Sequence, residues 1–187
     1  MNKGKLIVIS APSGCGKSTV VHALMERRPN LRFSISATTR APREGEVDGK
    51  DYFFVTREKF MEMVAEDAFI EHAEFVGNCY GTPQKPLDEM LEQGMDVMLD
   101  IDVQGAFQIR EKRPDALMVF LMPPSFEELE QRLILRGKDS MDVIKKRLET
   151  ARRECAVADK FDYIIVNDDV LRAVSEFSSI IDKEKNK

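Results

Sequence analysis

Histidine is scarce in this chain, cysteine is nearly so, and no stretch of it is both long and apolar. His22 and His72 are isolated, so ordinary helix and strand positions account for them better than a metal or catalytic centre does. Cys15, Cys79 and Cys155 are odd in number and widely separated, with no CxxC pair. That spacing argues against a structural zinc site or a redox motif and leaves free, reduced thiols. No run approaches the roughly 18 apolar residues of a membrane span, and MNKGKLIVIS lacks the apolar core and small-residue cleavage site of a signal peptide. The expectation is a cytoplasmic chain. Positive charge is not in excess either: 28 Lys plus Arg face 33 Asp plus Glu, for a formal net charge of -5. This balance argues against nucleic acid or an anionic membrane as partner, and any anionic ligand must be held by local positive charge. Internal repeats and low-complexity segments are absent, and nothing points to an obligate protein partner.

What is present suits one substantial domain with excursions, since 187 residues fall in the usual range for a single core. Lys5-Leu6-Ile7-Val8-Ile9 has the continuous apolar character of a strand buried on both faces. Val21, Leu24 and Met25 then recur at helical spacing until Arg28-Pro29-Asn30. Val97-Met98-Leu99, Leu117 to Leu121 and Tyr163 to Val166 repeat the buried-strand character, with helical patterns between and after them. The alternation predicts an α/β fold with a parallel sheet covered by helices. From about Phe33 to Glu92 the pattern changes to shorter strands broken by Arg-, Gly- and Asp-rich turns, which reads as an insertion with its own small sheet. A second excursion follows Pro124. Ser125-Phe126-Glu127-Glu128 has capping-box spacing, Leu129 and Leu133 continue one helix face, and a new helix starts at Met141. The ten methionines are scattered among Leu, Ile and Val, where they fill the core.

The stretch SAPSGCGKST, residues 10–19, follows the first strand. Residues 11–18 fit the phosphate-loop pattern G-x-x-x-x-G-K-[ST], except that Ala11 stands where the first Gly is expected. Gly14 and Gly16 supply the backbone angles that turn successive amides toward an anion, and the following helix adds its positive end. Ala11, Pro12, Ser13, Gly14, Cys15, Gly16, Lys17, Ser18 and Thr19 thus form a candidate ATP-binding loop. Lys17 reaches the outer phosphates and Ser18 helps hold Mg²⁺. A Gly-rich turn before a helix is the plainer alternative. Cys15 is either a small filler or a thiol activated by the helix N-terminus. Asp100 and Asp102, two apart at the end of a buried strand, are expected to point to one side, one toward water around Mg²⁺ and the other toward a ligand. Asp102-Val103-Gln104-Gly105 also matches the D-x-x-G of nucleotide switches, but the chain has no Asn-Lys-x-Asp to read a base.

Arg40 and Arg43 flank Pro42 and precede Tyr52 in FSISATTRAPREGEVDGKDYFF. Two forked cations and a phenol suit a second phosphate, although composition alone allows a solvated turn equally well. Together, APSGCGKST, SATTRAPREGEVDGKDYFF, FIEHAEFVGNCYGTP, LDIDVQG and DYIIVNDD, in that order, resemble the guanylate kinases nearly end to end. Ala11 recurs in bacterial members of that family. The resemblance implies a P-loop core at 1–33 and 95–187, a small α/β GMP-binding domain inserted at 34–94, and a helical lid within 125–150. It implies transfer of the γ-phosphoryl group of ATP to GMP. Carried over by position, Arg40, Arg43, Tyr52 and Tyr80 bind the GMP phosphate, and Ser36, Glu71, Thr82 and Asp102 bind guanine. Arg136 and Arg147 match the lid arginines that reach the phosphates, and Arg132 is a further candidate. Asn167 falls near the adenine of ATP or caps a turn. Residue by residue, plainer roles stay open: a surface carboxylate for Glu71, a helix cap for Asp102, solvated charge for each lid arginine. Two other functions also stay open, a binding module that no longer transfers phosphoryl groups and a kinase for another nucleoside monophosphate.

Overall fold

The computed structural model describes residues 3–75, 77–135, 137 and 140–186. Strand β1 (Leu6–Ser10) is buried at every position, as expected of an apolar run with no alternation, and leads through a turn of small residues into helix α1 (Lys17–Arg27). Then come β2 (Leu31–Phe33), β3 (Ala37–Thr38), β4 (Phe53–Phe54), α2 (Arg57–Ala65), β5 (Phe69–Phe75), β6 (Asn78–Pro83) and α3 (Gln84–Glu92). The chain continues with β7 (Asp96–Asp100), α4 (Val103–Lys112), β8 (Leu117–Met122), α5 (Phe126–Leu135), α6 (Met141–Cys155), β9 (Tyr163–Val166) and α7 (Val170–Lys185). A five-stranded sheet has the order β2-β7-β1-β8-β9, and a four-stranded sheet has the order β4-β3-β6-β5.

Two compact units divide the chain. The first holds the chain up to Ile7, Leu31–Leu99 and Gln104–Ala116. In it β2 pairs parallel with β7, Leu31 against Asp96 and Phe33 against Met98. Four buried strands are legible in the sequence; β2 is the fifth, and its three residues, only Leu31 buried, are too few to show a period. Phe33 therefore belongs to the larger sheet, and the small sheet starts at β3. There β5 and β6 form an antiparallel hairpin that sets Glu71 opposite Thr82 and Ala73 opposite Tyr80. Phe60 stacks on Phe69 at 4.5 Å between centroids, over a core completed by Ala37 and Cys79. Gln108 of α4 covers the edge of β5, its side-chain amide accepting from the His72 N–H and donating to the His72 carbonyl, both at 3.1 Å. His72 is thus an exposed strand residue and His22 an exposed helix residue, as read from their isolation.

The second unit holds Val8–Asn30, Asp100–Val103 and the chain from Leu117 onward. Strand β8 pairs parallel with β9, Val119 against Tyr163 through Met122 against Val166. Met118, Val119, Phe120 and Leu121 of β8 are fully buried, and each contributes about 1.5–3 kcal/mol through that burial. At α5, Ser125 accepts from the Glu128 N–H at 3.1 Å, which is half of the capping box; the Glu128 carboxylate turns instead to Arg132, at 2.5 Å. Ser140 caps α6 by accepting from the Val143 N–H. Leu129, Leu133, Ile144 and Ala151 pack α5 against α6. Helix α7 runs to Lys185, with Tyr163 donating to Glu184 at 2.6 Å. No helix among the described residues is long and apolar enough to cross a membrane.

Gly81 shows how tightly the small sheet is packed. A β-carbon there would lie 2.9–3.1 Å from the Phe69 ring, which is buried and stacked on Phe60 and has nowhere to retreat. Gly81→Ala is expected to destabilise the protein by about 1–3 kcal/mol in urea unfolding; an unchanged midpoint contradicts this packing.

Candidate functional site

In the second unit the loop between β1 and α1 turns on two glycines with positive φ, Gly14 at 92° and Gly16 at 90°. Gly16 is the N-cap of α1, makes no side-chain cap, and is followed by no acidic residue in the first turn. The first N–H groups of α1 are therefore free of any capping carboxylate, and the helix dipole adds positive potential at the same place. Ala11 is no defect, because Asp67 is the sole non-glycine with positive φ among the described residues. At position 11 the chain needs nothing that a β-carbon obstructs. Gly14 has a packing reason as well: a β-carbon there would meet Leu133 at 2.8 Å and Leu129 at 3.2 Å.

The Cys15 thiol is buried and donates to the Leu121 carbonyl at 3.5 Å. Burial pushes its pKa up to about 12, against the opposing pull of Arg132 and Lys17. Cys15 is therefore a filler and not an activated thiol, because desolvation outweighs the helix end and the cations. Lys17 pairs with Asp100, and both are about one-fifth exposed. Strand β7 stops at Asp100, so Asp102 is an exposed residue just before α4 and not a strand neighbour of Asp100. Glu154, half-buried on α6, has its pKa raised first by burial and then by the charge of Asp102, while Lys17 lowers it. Sequence reading passes over Glu154, since nothing in its helical pattern tells which groups it faces.

Asn167, at the end of β9, is 3% exposed and donates through Nδ2 to the Cys15 carbonyl at 2.7 Å. Arg132 reaches the same carbonyl at 3.2 Å and the Asn167 carbonyl at 3.1 Å. A cleft of about 390 Å³ is lined by Gly14, Gly16, Thr19, Arg132, Asn167 and Val170, among others. Of the two arginines that the resemblance assigns to a lid, Arg147 lies half-buried on α6, and Arg136 lies outside the described residues. The donor set for a metal is of hard oxygens, the Ser18 hydroxyl and the carboxylates near Lys17. Among the described residues no three of His, Cys, Asp and Glu converge to hold an ion by themselves. Such a set fits Mg²⁺, which takes few protein ligands and relies on phosphates and water for the rest.

In the first unit Glu71 is buried, 6% exposed, and accepts from the Thr82 hydroxyl at 2.6 Å. The hairpin register makes this contact, because residues directly opposite across the strands share a face. Ser36 is half-buried, and its carbonyl accepts from the Phe53 N–H. Tyr80 and Tyr52 meet edge to face with centroids 6.3 Å apart, and the Arg40 guanidinium lies 5.4 Å from the Tyr52 centroid. Arg40, Tyr52 and Tyr80 are thus brought together, while Arg43 is exposed and joins them through Glu46. Both Oε atoms of Glu46 accept from Arg40, at 2.8 and 2.9 Å, and Oε2 also accepts from the Arg43 N–H at 2.7 Å. Sequence reading misses Glu46, although a carboxylate three residues after Arg43 in REGE was the available signal.

The hydrogen bonds from Arg40, then from the Arg43 backbone, hold the Glu46 pKa at about 2, well below the ordinary 4.5. A carboxylate with a depressed pKa stabilises its fold above the ordinary value and loses that contribution as pH falls through its own. The loop order tied to Glu46 is accordingly expected to persist at pH 5 and to weaken between about pH 4.5 and 2. A carboxyl-carbon NMR titration is expected to give a midpoint near 2 for Glu46; a midpoint near 4.5 contradicts the ion pair.

A family model described as guanylate kinase matches residues 3–184. The chain is 48% identical over 184 residues to a guanylate kinase of Clostridium perfringens (strain 13 / Type A), covering 98% of this chain and 85% of that one. It is 50% identical over 181 residues to a guanylate kinase of Rubrobacter xylanophilus, covering 97% of this chain and 95% of the relative. Among solved structures it resembles the guanylate kinase from Anaplasma phagocytophilum, with a TM-score of 0.79, 39% identity, and coverage of 100% of this chain and 88% of that one.

Proposed function

The chain belongs to the guanylate kinase family, and we propose that it transfers the γ-phosphoryl group of ATP to GMP, giving ADP and GDP. The observation that carries this reading is the buried Glu71–Thr82 pair in one unit together with an intact phosphate loop in the other. Guanine offers N1–H and an exocyclic amino group as donors and a carbonyl as acceptor. The Thr82 hydroxyl donates to Glu71 and holds its carboxylate in orientation, and a carboxylate is the acceptor that the donors of guanine require. Ser36 and Asp102 complete the guanine set. Adenine presents an acceptor at N1, which a carboxylate meets with no hydrogen to share; mismatches of this kind discriminate by on the order of 10⁴.

Arg40, Arg43, Tyr52 and Tyr80 take the GMP phosphate. The edge-to-face tyrosines and the stacked guanidinium keep these groups oriented. No strong general base is needed, because a phosphate monoester with second pKa about 6 is largely dianionic at neutral pH and is already a nucleophile. The scarcity of histidine then has a chemical reason. Ala11 to Thr19 and Asn167 take ATP, with Lys17 on the outer phosphates and Ser18 and Asp100 toward Mg²⁺. When bound, that ion neutralises charge on the phosphoryl oxygens. Segment 34–94 acts as the GMP-binding domain and 125–150 as the lid, whose Arg136 and Arg147 bring positive charge to the transferring group and exclude water.

The test is ADP formation by the purified protein with ATP and Mg²⁺, offering GMP, dGMP, AMP, CMP and UMP separately beside a no-acceptor control. The expected result is GMP-dependent release, AMP slower by on the order of 10⁴, and loss of turnover in Lys17→Ala. Equal turnover of AMP contradicts the base assignment. Release without acceptor points to an NTPase, and GMP binding without turnover to a binding module.

A further inference from the structure

The peptide joining Cys15 to Gly16 is the point at which the phosphate loop can fail. Gly16 sits at φ 90°, where a glycine is at ease. With a glycine on one side, such a peptide can turn over at small steric cost. The two orientations are opposites for an anion: one presents the Gly16 N–H, the other the Cys15 carbonyl oxygen. Loop sequence alone does not choose between them.

Two side chains from outside the loop make that choice. Asn167 Nδ2 donates to the Cys15 carbonyl in a buried bond of 2.7 Å. The amide nitrogen must be the atom facing it, because a carbonyl oxygen only accepts. Arg132 donates to the same oxygen at 3.2 Å, to the Asn167 carbonyl at 3.1 Å and to Glu128 at 2.5 Å, so α5 braces the contact. Asn167 is itself fixed by its own N–H, which donates to the Met122 carbonyl at 2.8 Å. The fit is close: a β-carbon on Gly16 would lie 2.7 Å from Nδ2. The Asn167 Oδ1 atom is buried and has no hydrogen-bond partner among the described residues, a cost that side-chain packing alone does not explain.

We infer that Asn167 is a positioning residue of the phosphate loop, which pins the Cys15 carbonyl so that the Gly16 N–H is presented to the phosphates, with Arg132 as its brace. In a trans peptide N–H and C=O point in opposite directions, so holding the carbonyl against Asn167 aims the amide away from it. The inference rests on the proposed use of the loop for a nucleoside triphosphate, and it assigns Asn167 an effect on phosphate binding that no contact with a base would produce.

Inorganic tripolyphosphate, which has no base, separates the two effects. Its affinity and those of ATP and GMP are measured by calorimetry with Mg²⁺ for the natural protein and for Asn167→Leu, which keeps the side-chain size, adds no charge and removes the donor. The expected result is a loss of about ten-fold for both tripolyphosphate and ATP, with GMP affinity unchanged and a similar melting temperature. Weakened ATP with unchanged tripolyphosphate overturns the inference, because the residue then serves the base alone; unchanged affinity for both overturns it as well. If Asn167→Leu does not fold, Asn167→Ser, too short to reach the carbonyl, carries the same comparison. Natural protein that binds neither ATP nor tripolyphosphate contradicts the proposed function itself, whereas with natural protein that binds both, any loss in the variant belongs to Asn167.

Discussion

The first N–H groups of α1 have no carbonyl within the helix to receive them, and no side chain caps them. Most of the second unit can be understood as a means of keeping those donors aligned and unblocked. The all-buried strand β1 fixes where the loop begins, and Gly14 and Gly16 give it its turn. Leu129 and Leu133 press against Gly14 so closely that a β-carbon does not fit. Burial of Cys15 keeps its thiol protonated, so no thiolate competes with an anion at the helix end. A chain of net charge -5 needs this local arrangement, since its overall field repels phosphate.

Charge is held in place by paired groups. Lys17 lies against Asp100, and Arg40 is gripped by both oxygens of Glu46 while stacking near Tyr52 and Phe54. A long cationic side chain left free samples many rotamers, and ordering it on binding costs entropy. Holding the guanidinium beforehand reduces that cost, as preorganisation does generally. Glu46 stays ionised far below neutral pH, so this grip does not vary over ordinary conditions.

Much of this was legible in the sequence where physics acts locally. The apolar runs of β1, β7, β8 and β9, the break before α6 and the glycines of the loop each show a short-range pattern that a strand, a cap or a turn requires. Strand β2 escaped because three residues with one buried side chain carry no period. Glu46, Glu154 and the Asn167–Cys15 contact escaped for another reason. The last joins residues 152 positions apart, and only folding brings them within 2.7 Å. For Asp102 the sequence suggested a shared strand face with Asp100, but β7 ends at Asp100 itself, before alternation could carry to Asp102. The pairing of Glu71 with Thr82 lies between these cases. Both residues were singled out by resemblance, and the hairpin register supplies the physical reason they meet.

The most direct measurement follows the phosphorus atoms themselves. A ³¹P NMR time course of ATP, GMP and Mg²⁺ with the purified protein is predicted to show the GMP monoester signal giving way to the two coupled signals of GDP, matched by ADP and with no build-up of inorganic phosphate. Inorganic phosphate in step with ADP, with the GMP signal unchanged, would mean that water and not GMP receives the phosphoryl group.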